Sequence, residues 1–332
     1  MVKYIFIGGS GRSGTTITKN ILLRHSMIYG FRHDEARFLV DPDGMLDLVD
    51  TLSEKWDPYN AEISLRRFEK IMKRIYYPKR LRIFAKILLR MNITPPKYSY
   101  LMIDPMDKTY FDNSLNRLLS ELRYHISLAY WYGSPPLKKK ALHEVFYLKK
   151  DILKRTTTCF LDNLLKGIDG YAENKLWVED TPYNLLQAHR LIGLFPGMKL
   201  LHVYRDPKDV ISSLFSKRIS WADRDLMVNV KRLINIWERW FDVKRQLPSK
   251  SYIEFNLKHL VNDQKNTLSQ ICKFLDLQLE DEMFEEPLNK SHSGRWKKDI
   301  DSSMISEINH MFSPIYDEIR KLDKKGSIDR VM

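Results

Sequence analysis

The chain has 332 residues, with 55 Lys+Arg against 42 Asp+Glu and a formal net charge of +13. Its 43% hydrophobic content and 12% aromatic content exclude a disordered chain, and its two cysteines exclude a disulfide framework or a cysteine-based zinc site. No apolar run approaches the roughly 18 residues of a membrane span, and the basic excess predicts an anionic partner.

In chain order, residues 2–7 (VKYIFI) read as a buried parallel strand. The chain enters this strand with no leader pattern, so a cytoplasmic location is expected. Residues 8–14 form a glycine-rich turn. Ile17, Ile21 and Leu22 then recur at helical spacing. A second short strand is expected at 27–29. Residues 44–170 read as mainly helical and irregular, punctuated by Pro95-Pro96, Pro105 and Pro135-Pro136. Strand patterns return at 176–179, 199–204 and 251–255. Long helices are expected at 223–245, 267–275 and 302–322. Alternating strands and helices predict an α/β fold with three layers around a central parallel sheet. Residues 1–332 then form one domain, and 44–170 form a largely helical insertion.

The segment Gly8-Gly9-Ser10-Gly11-Arg12-Ser13-Gly14-Thr15-Thr16 fits several patterns. Gly9, Gly11 and Gly14 match G-x-G-x-x-G, and Asp34-Glu35 follow about 20 residues on, as a dinucleotide site requires. Gly9 to Gly14 also match the start of a phosphate-binding P-loop, with Thr15 in place of the usual lysine and Thr16 keeping the hydroxyl. A kinase or NTPase uses that lysine on the β and γ phosphates; here the cation is inside the loop, as Arg12. The bland alternative is a tight strand-to-helix turn without a ligand.

A second cluster follows the strand at 199–204. Asp206 suits a helix N-cap and Pro207 the first helical position. Arg205 then lies at the carboxyl end of a strand, where open α/β sheets bind ligands. Arg205 and Ser213, eight residues apart, could clamp a phosphate; alternatively, Arg205 pairs with Asp209 at the helix entry.

Together these segments resemble the sulfotransferases that use 3′-phosphoadenosine-5′-phosphosulfate (PAPS), and are closer to the tyrosylprotein and bacterial type than to the cytosolic aryl type. Gly11-Arg12-Ser13-Gly14-Thr15-Thr16 is similar to the 5′-phosphosulfate loop of that family, with Gly11 replacing its proline. Arg205 and Ser213 have the spacing of its 3′-phosphate motif. Gly294-Arg295-Trp296-Lys297 resembles its C-terminal loop, which reaches the cofactor phosphate. Trp177-Val178-Glu179-Asp180-Thr181-Pro182 resembles its W-x-E-K-T-P segment, with Asp180 replacing a lysine that assists the leaving group in some members.

The resemblance implies a P-loop-like fold and sulfuryl transfer from PAPS to a hydroxyl, or an amine, releasing 3′-phosphoadenosine-5′-phosphate (PAP) without a metal. Glu35-Ala36-Arg37 is similar to an E-x-R segment whose Glu is the base. Glu35 is thus the implied base, Arg37 its partner, and Arg12 the cation on the leaving group. His33 is the alternative base. Gly11, Arg12, Ser13, Gly14, Thr15, Thr16, Arg205, Ser213, Arg295, Trp296 and Lys297 are the implied cofactor-binding residues. The rivals are a P-loop kinase or NTPase with an altered loop, a nicotinamide-dependent oxidoreductase, and a non-catalytic nucleotide-binding module.

The acceptor is left open among small molecule, carbohydrate, lipid and peptide, and no nucleic-acid module is found. From Arg66 to Arg90 there are ten Lys/Arg and one acidic residue, Glu69. Apolar residues at helical spacing on either side of Pro78 predict two basic amphipathic helices. They read as a solvated face, with peripheral membrane contact or an anionic groove as alternatives. Trp237, Trp240 and Phe241 fall at i, i+3 and i+4 and predict a core stripe.

Overall fold

In the computed structural model the N-terminal apolar run forms strand β1 (Tyr4–Gly8), with every residue buried. Residues 3–31, 35–75, 91, 106–127, 142–216, 222–286, 288 and 293–324 are described. Two compact units divide the chain: Met1–Tyr29 with Asn174–Met332, and Gly30–Glu173.

In the first unit, β1 leads into α1 (Thr15–Leu22) and β2 (Ile28–Gly30). The chain returns with β5 (Leu176–Glu179), α6 (Asn184–Leu194), β6 (Lys199–Tyr204), α7 (Pro207–Ser216), α8 (Leu226–Lys244) and β7 (Tyr252–Asn256). Helices α9 (Leu257–Asn262), α10 (Gln264–Phe274), α11 (Trp296–Asp299), α12 (Ser302–Met311) and α13 (Ser313–Lys324) follow. The strands form one sheet in the order β2-β5-β1-β6-β7. β1 runs parallel to both β5 and β6, and β6 runs parallel to β7.

Successive strand residues point to opposite faces, and the two faces differ in chemistry. Ile5, Ile7, Val178, Leu201, Val203, Ile253 and Phe255 pack with Ile21 and Leu22 of α1 and Leu268 and Ile271 of α10. The other face is aromatic. Tyr4 and Phe6 meet Trp177 and Phe195, while His202 and Tyr204 meet Trp237 of α8. Helices thus cover both faces of a parallel sheet, the three-layer α/β arrangement expected. Each fully buried large apolar side chain contributes roughly 1.5–3 kcal/mol. The 3–4 stripe of α8 is core, with Trp237 and Trp240 buried.

The aromatic face also holds a polar network. Glu254 meets the His202 Nδ1 at 3.0 Å and accepts from the Trp240 indole at 2.7 Å, with the Lys244 ammonium 3.7 Å away. Burial lowers the His202 pKa, although Glu254 pulls the other way. The His202 hydrogen bond, together with Lys244 and Trp240, holds Glu254 below the usual carboxylate range against the cost of burying it.

One expected element divides. The apolar stripe from 302 to 322 is two helices, α12 and α13, separated at Phe312. Pro314 has no N–H for a continuing helix and its ring crowds the preceding turn.

The unit Gly30–Glu173 contains α2 (Met45–Ser53), α3 (Pro58–Ile75), α4 (Lys108–Leu122), β3 (Arg123–Ser127), β4 (Leu142–Val145) and α5 (Lys150–Lys166). It buries Glu62 of α3, paired with Arg66 and, at 3.2 Å, with the His143 Nδ1. The antiparallel hairpin β3–β4 differs from the helical and irregular reading of this stretch. Its first strand, RYHIS, alternates poorly and carries a register shift between Arg123 and His125, so no period of two is visible. Of the expected basic helix pair, α3 covers 66–75, and 76–90 lie outside the described residues. Among the described residues no helix is long and apolar enough to cross a membrane.

Candidate active site

The loop between β1 and α1 is shaped by close approach and by backbone conformation. A Cβ on Gly9 would fall 2.8 Å from the Val203 carbonyl oxygen and 2.1 Å from the Ser13 Oγ, so only glycine fits against β6. Gly14 has φ +114° at the N-cap of α1, a conformation that side chains disfavour. Between them Arg12 is held at φ +57°. A non-glycine residue there stores roughly 1–3 kcal/mol of strain, which recurs at ligand-binding sites. Ser13 is completely buried, and its hydroxyl has no hydrogen-bond partner among the described residues. A buried hydroxyl without a partner costs free energy until something bonds to it. Thr15 is buried at the start of α1, while Thr16 is exposed.

The turn after β5 braces this loop. The Gly9 N–H donates to the Pro182 carbonyl at 2.9 Å, and the Asn184 carboxamide donates to the Ile7 carbonyl at 3.1 Å. Glu179, fully buried, accepts from the Thr181 N–H at 2.9 Å and from Asn184. Burial and the neighbouring Asp180 push its pKa up, and the donated bonds pull it down. Asp180, where the resemblance expects lysine, pairs with Lys19 of α1 at 2.7 Å, with side chains 1% and 3% exposed. Its carboxylate is enclosed with that cation.

The second half of the site starts at the carboxyl end of β6. Asp206 caps α7 by accepting from the Lys208 N–H at 2.9 Å, as the sequence predicts. Arg205 stands 3.8 Å from Asp209, so the helix-entry pairing is present. Burial lowers its pKa, and its two neighbouring aspartates raise it. The Arg12 and Arg295 guanidiniums both act on it as like charges. Three guanidiniums from distant segments are thus held at α7: Arg205 by Asp209, Arg12 by Ser213, and Arg295 by Asp299, which Ser212 also bonds. Arg12 Nε also donates to Ser213 Oγ at 3.2 Å, across 201 residues of sequence. Arg295 Nε donates to Asp299 at 2.9 Å, and Ser212 donates to the same oxygen. Trp296 lies beneath the Lys208 ammonium, 3.9 Å from the ring centre. Lys297 is exposed.

A cavity of about 240 Å³ opens beside Arg205. Asp206 and Asp209 line it, with Asn256 at the end of β7, Leu257 and Lys258 of α9, and Tyr316, Ile319 and Asp323 of α13. The Tyr316 hydroxyl donates to Asp206 at 2.9 Å, and the Tyr204 hydroxyl donates to Asp323 at 2.8 Å. These bonds secure α13 beside the cavity. Guanidiniums held at α7, with a cavity beside Arg205, suit an anion attached to a larger organic group.

In the unit Gly30–Glu173, Glu35 pairs with Arg37 at 3.1 Å, and Arg37 Nε donates to Asp41 at 3.1 Å. The expected Glu–Arg partnership is present. His33 and Asp34 lie outside the described residues.

The profile described as the Sulfotransferase family matches residues 4–281. This chain belongs to the sulfotransferase family. Among solved structures this sulfotransferase is similar to the sulfotransferase domain of the curacin biosynthetic pathway, at 16% identity and TM-score 0.49, covering 95% of this chain and 98% of that one. It is also similar to the sulfotransferase domain of the Synechococcus PCC 7002 olefin synthase, at 14% identity and TM-score 0.47, covering 92% and 82%. A third, sulfotransferase STF9 from Mycobacterium avium, is 13% identical with TM-score 0.48, covering 96% and 76%. A comparison with curated proteins gives no match.

In this sulfotransferase the loop, the β6–α7 junction and the 294–297 segment were all visible in the sequence. Lys19, Asn184 and Asp209 fall in no motif that marks a site residue. Lys19 reads as an ordinary helix cation and Asn184 as an ordinary polar residue. In the sequence Asp209 is legible only as a partner for Arg205.

Proposed function

We propose that this sulfotransferase transfers the sulfuryl group of PAPS to an acceptor hydroxyl, and that the three-arginine site binds the donor. The observation carrying this reading is the Arg12–Ser213 hydrogen bond, which joins the two motifs on the helix that also holds Arg205 through Asp209 and Arg295 through Ser212 and Asp299. Ser13, Gly14, Thr15 and Thr16 hold the 5′ end, where the buried Ser13 hydroxyl needs a partner and the N-terminus of α1 favours an anion. Arg205, Ser213 and the segment Arg295-Trp296-Lys297 receive the 3′-phosphate, and the adjoining cavity accommodates the rest of the nucleoside.

In the reaction the acceptor oxygen attacks sulfur, the bond from sulfur to the 5′-phosphate oxygen breaks, and PAP departs. Arg12 stabilises the charge growing on that oxygen. Glu35, oriented by Arg37, takes the acceptor proton. Residues 44–170 select the acceptor. The unpaired cysteines, Cys159 and Cys272, suit a reducing compartment such as the cytoplasm.

Thermal melting with PAP, with ADP plus Mg²⁺, and with NAD tests the donor assignment, because a ligand selective for the folded state raises the melting temperature. A rise with PAP and no metal is expected. A rise only with ADP plus Mg²⁺ or NAD would refute it. A PAP response without turnover of PAPS on any acceptor would instead favour a binding module.

A further inference from the structure

We propose that Asp209 is a positioning residue that sets the third guanidinium of the donor site in place. The inference rests on reading the site as one for PAPS. Asp209 is 2% exposed, on the first turn of α7. Its Oδ2 accepts from the Gly294 N–H at 3.0 Å, and its Oδ1 faces the Trp296 N–H at 3.5 Å. Arg295 lies between those two amides in sequence, and its Nε donates to Asp299, which also accepts from Ser212 of α7. The backbone turns at Gly294, with φ +79°.

Adjacent residues of α7 reinforce the attachment. Lys208 covers the Trp296 ring, and Ser212 shares Asp299 with Arg295. The first two turns of α7 therefore grip the 294–299 segment at three points, while Arg205, just before the helix, points a guanidinium to within 3.8 Å of the same carboxylate.

The electrostatics make this placement informative. A carboxylate 3.8 Å from Arg205 opposes the arrival of a phosphate. If Asp209 acted only through its charge, neutralising it would tighten anion binding. If it acts by holding the segment, neutralising it weakens binding, because an asparagine offers one acceptor oxygen and turns its NH₂ toward another donor. The two roles predict opposite signs.

The test is calorimetric titration of PAP and adenosine 5′-phosphate into the wild type, Asp209→Asn, Arg295→Ala and the double variant, with hydrogen exchange over residues 293–299. Asp209→Asn is expected to weaken PAP binding by about tenfold or more, leave adenosine 5′-phosphate within about twofold, and speed exchange of the Gly294 and Trp296 amides. In the Arg295→Ala background its further effect on PAP should fall below about threefold, since the two act as a unit.

Unchanged or tighter PAP binding in Asp209→Asn, or losses that multiply independently, would overturn the proposal. If Asp209→Asn does not fold, Asp209→Glu keeps the charge and displaces the oxygens. Weaker PAP binding then supports positioning, and unchanged binding overturns it. Failure of the wild type to bind PAP would instead overturn the donor assignment, and amide exchange in the variant would still decide whether Asp209 holds the segment.

Discussion

The ion pair between Lys19 and Asp180 links α1 to the turn after β5, two of the elements that frame the glycine loop. Both side chains are almost wholly enclosed and the charged atoms are 2.7 Å apart. At an effective dielectric constant of about 20, that separation gives an attraction of about 6 kcal/mol. Part of it offsets the cost of removing both charges from water, so the net value of the pair is far smaller than this. Removing one partner is a different matter. Lys19→Met leaves a buried carboxylate without its cation, and the expected loss is about 3–5 kcal/mol. At roughly 2–4 °C per kcal/mol, the melting temperature should fall on the order of 10 °C. Replacing both residues, as Lys19→Met with Asp180→Leu, removes the stranded charge and should recover most of that loss. Thermal melting of the two single variants and the double variant measures the coupling. Single variants within about 1 kcal/mol of wild type, or a double variant as unstable as Lys19→Met, would refute the reasoning.

Glu35→Gln should lower turnover by about 10²–10⁴-fold while PAP affinity stays near wild type, measured by sulfuryl transfer and calorimetry; undiminished turnover would remove Glu35 as the base. Acidification from about pH 7 to pH 5 should lower the melting temperature. The folded protein keeps His202 neutral by burial, and His143 likewise, whereas the unfolded imidazoles take up protons near 6.5. Glu254, held low in the fold, adds a further loss as the pH drops through the carboxylate range. A flat profile would contradict this, and His202→Gln should flatten part of the upper limb. Thiol titration of the native protein should report the exposed Cys159 alone, because Cys272 is buried and its pKa is raised to about 11; rapid reaction of both would mean that α10 is not packed as described.

The strands of the sheet were readable because buried parallel strands are short apolar runs bounded by glycine or proline, as at 2–7 and 199–204. The aromatic stripe of α8 was readable because three large side chains fell at helical spacing. The hairpin β3–β4 was not, since Arg123, Tyr124 and His125 mask any alternation and Tyr124 is exposed. Pro314 is present in the sequence but was outweighed by an apolar stripe that continues on both sides of it.

Motif spacing picked out Arg12, Arg205, Ser213 and Arg295, which the fold ties to one helix. The bracing residues were hidden because their meaning is pairwise and distant. Lys19 becomes notable only opposite Asp180, Asn184 only beneath Ile7, and Asp209 only under the amides of Gly294 and Trp296. No local pattern encodes those pairings.

The most direct measurement is calorimetric binding of PAP and adenosine 5′-phosphate to the wild type and to Arg205→Ala. Truncating a partner in a desolvated charged contact costs about 2–5 kcal/mol, so PAP affinity should fall by at least about 30-fold. Adenosine 5′-phosphate lacks the 3′-phosphate, and its affinity should change little. Equal losses for both ligands, or no loss for PAP, would contradict the assignment of Arg205 to the 3′-phosphate and with it the donor site.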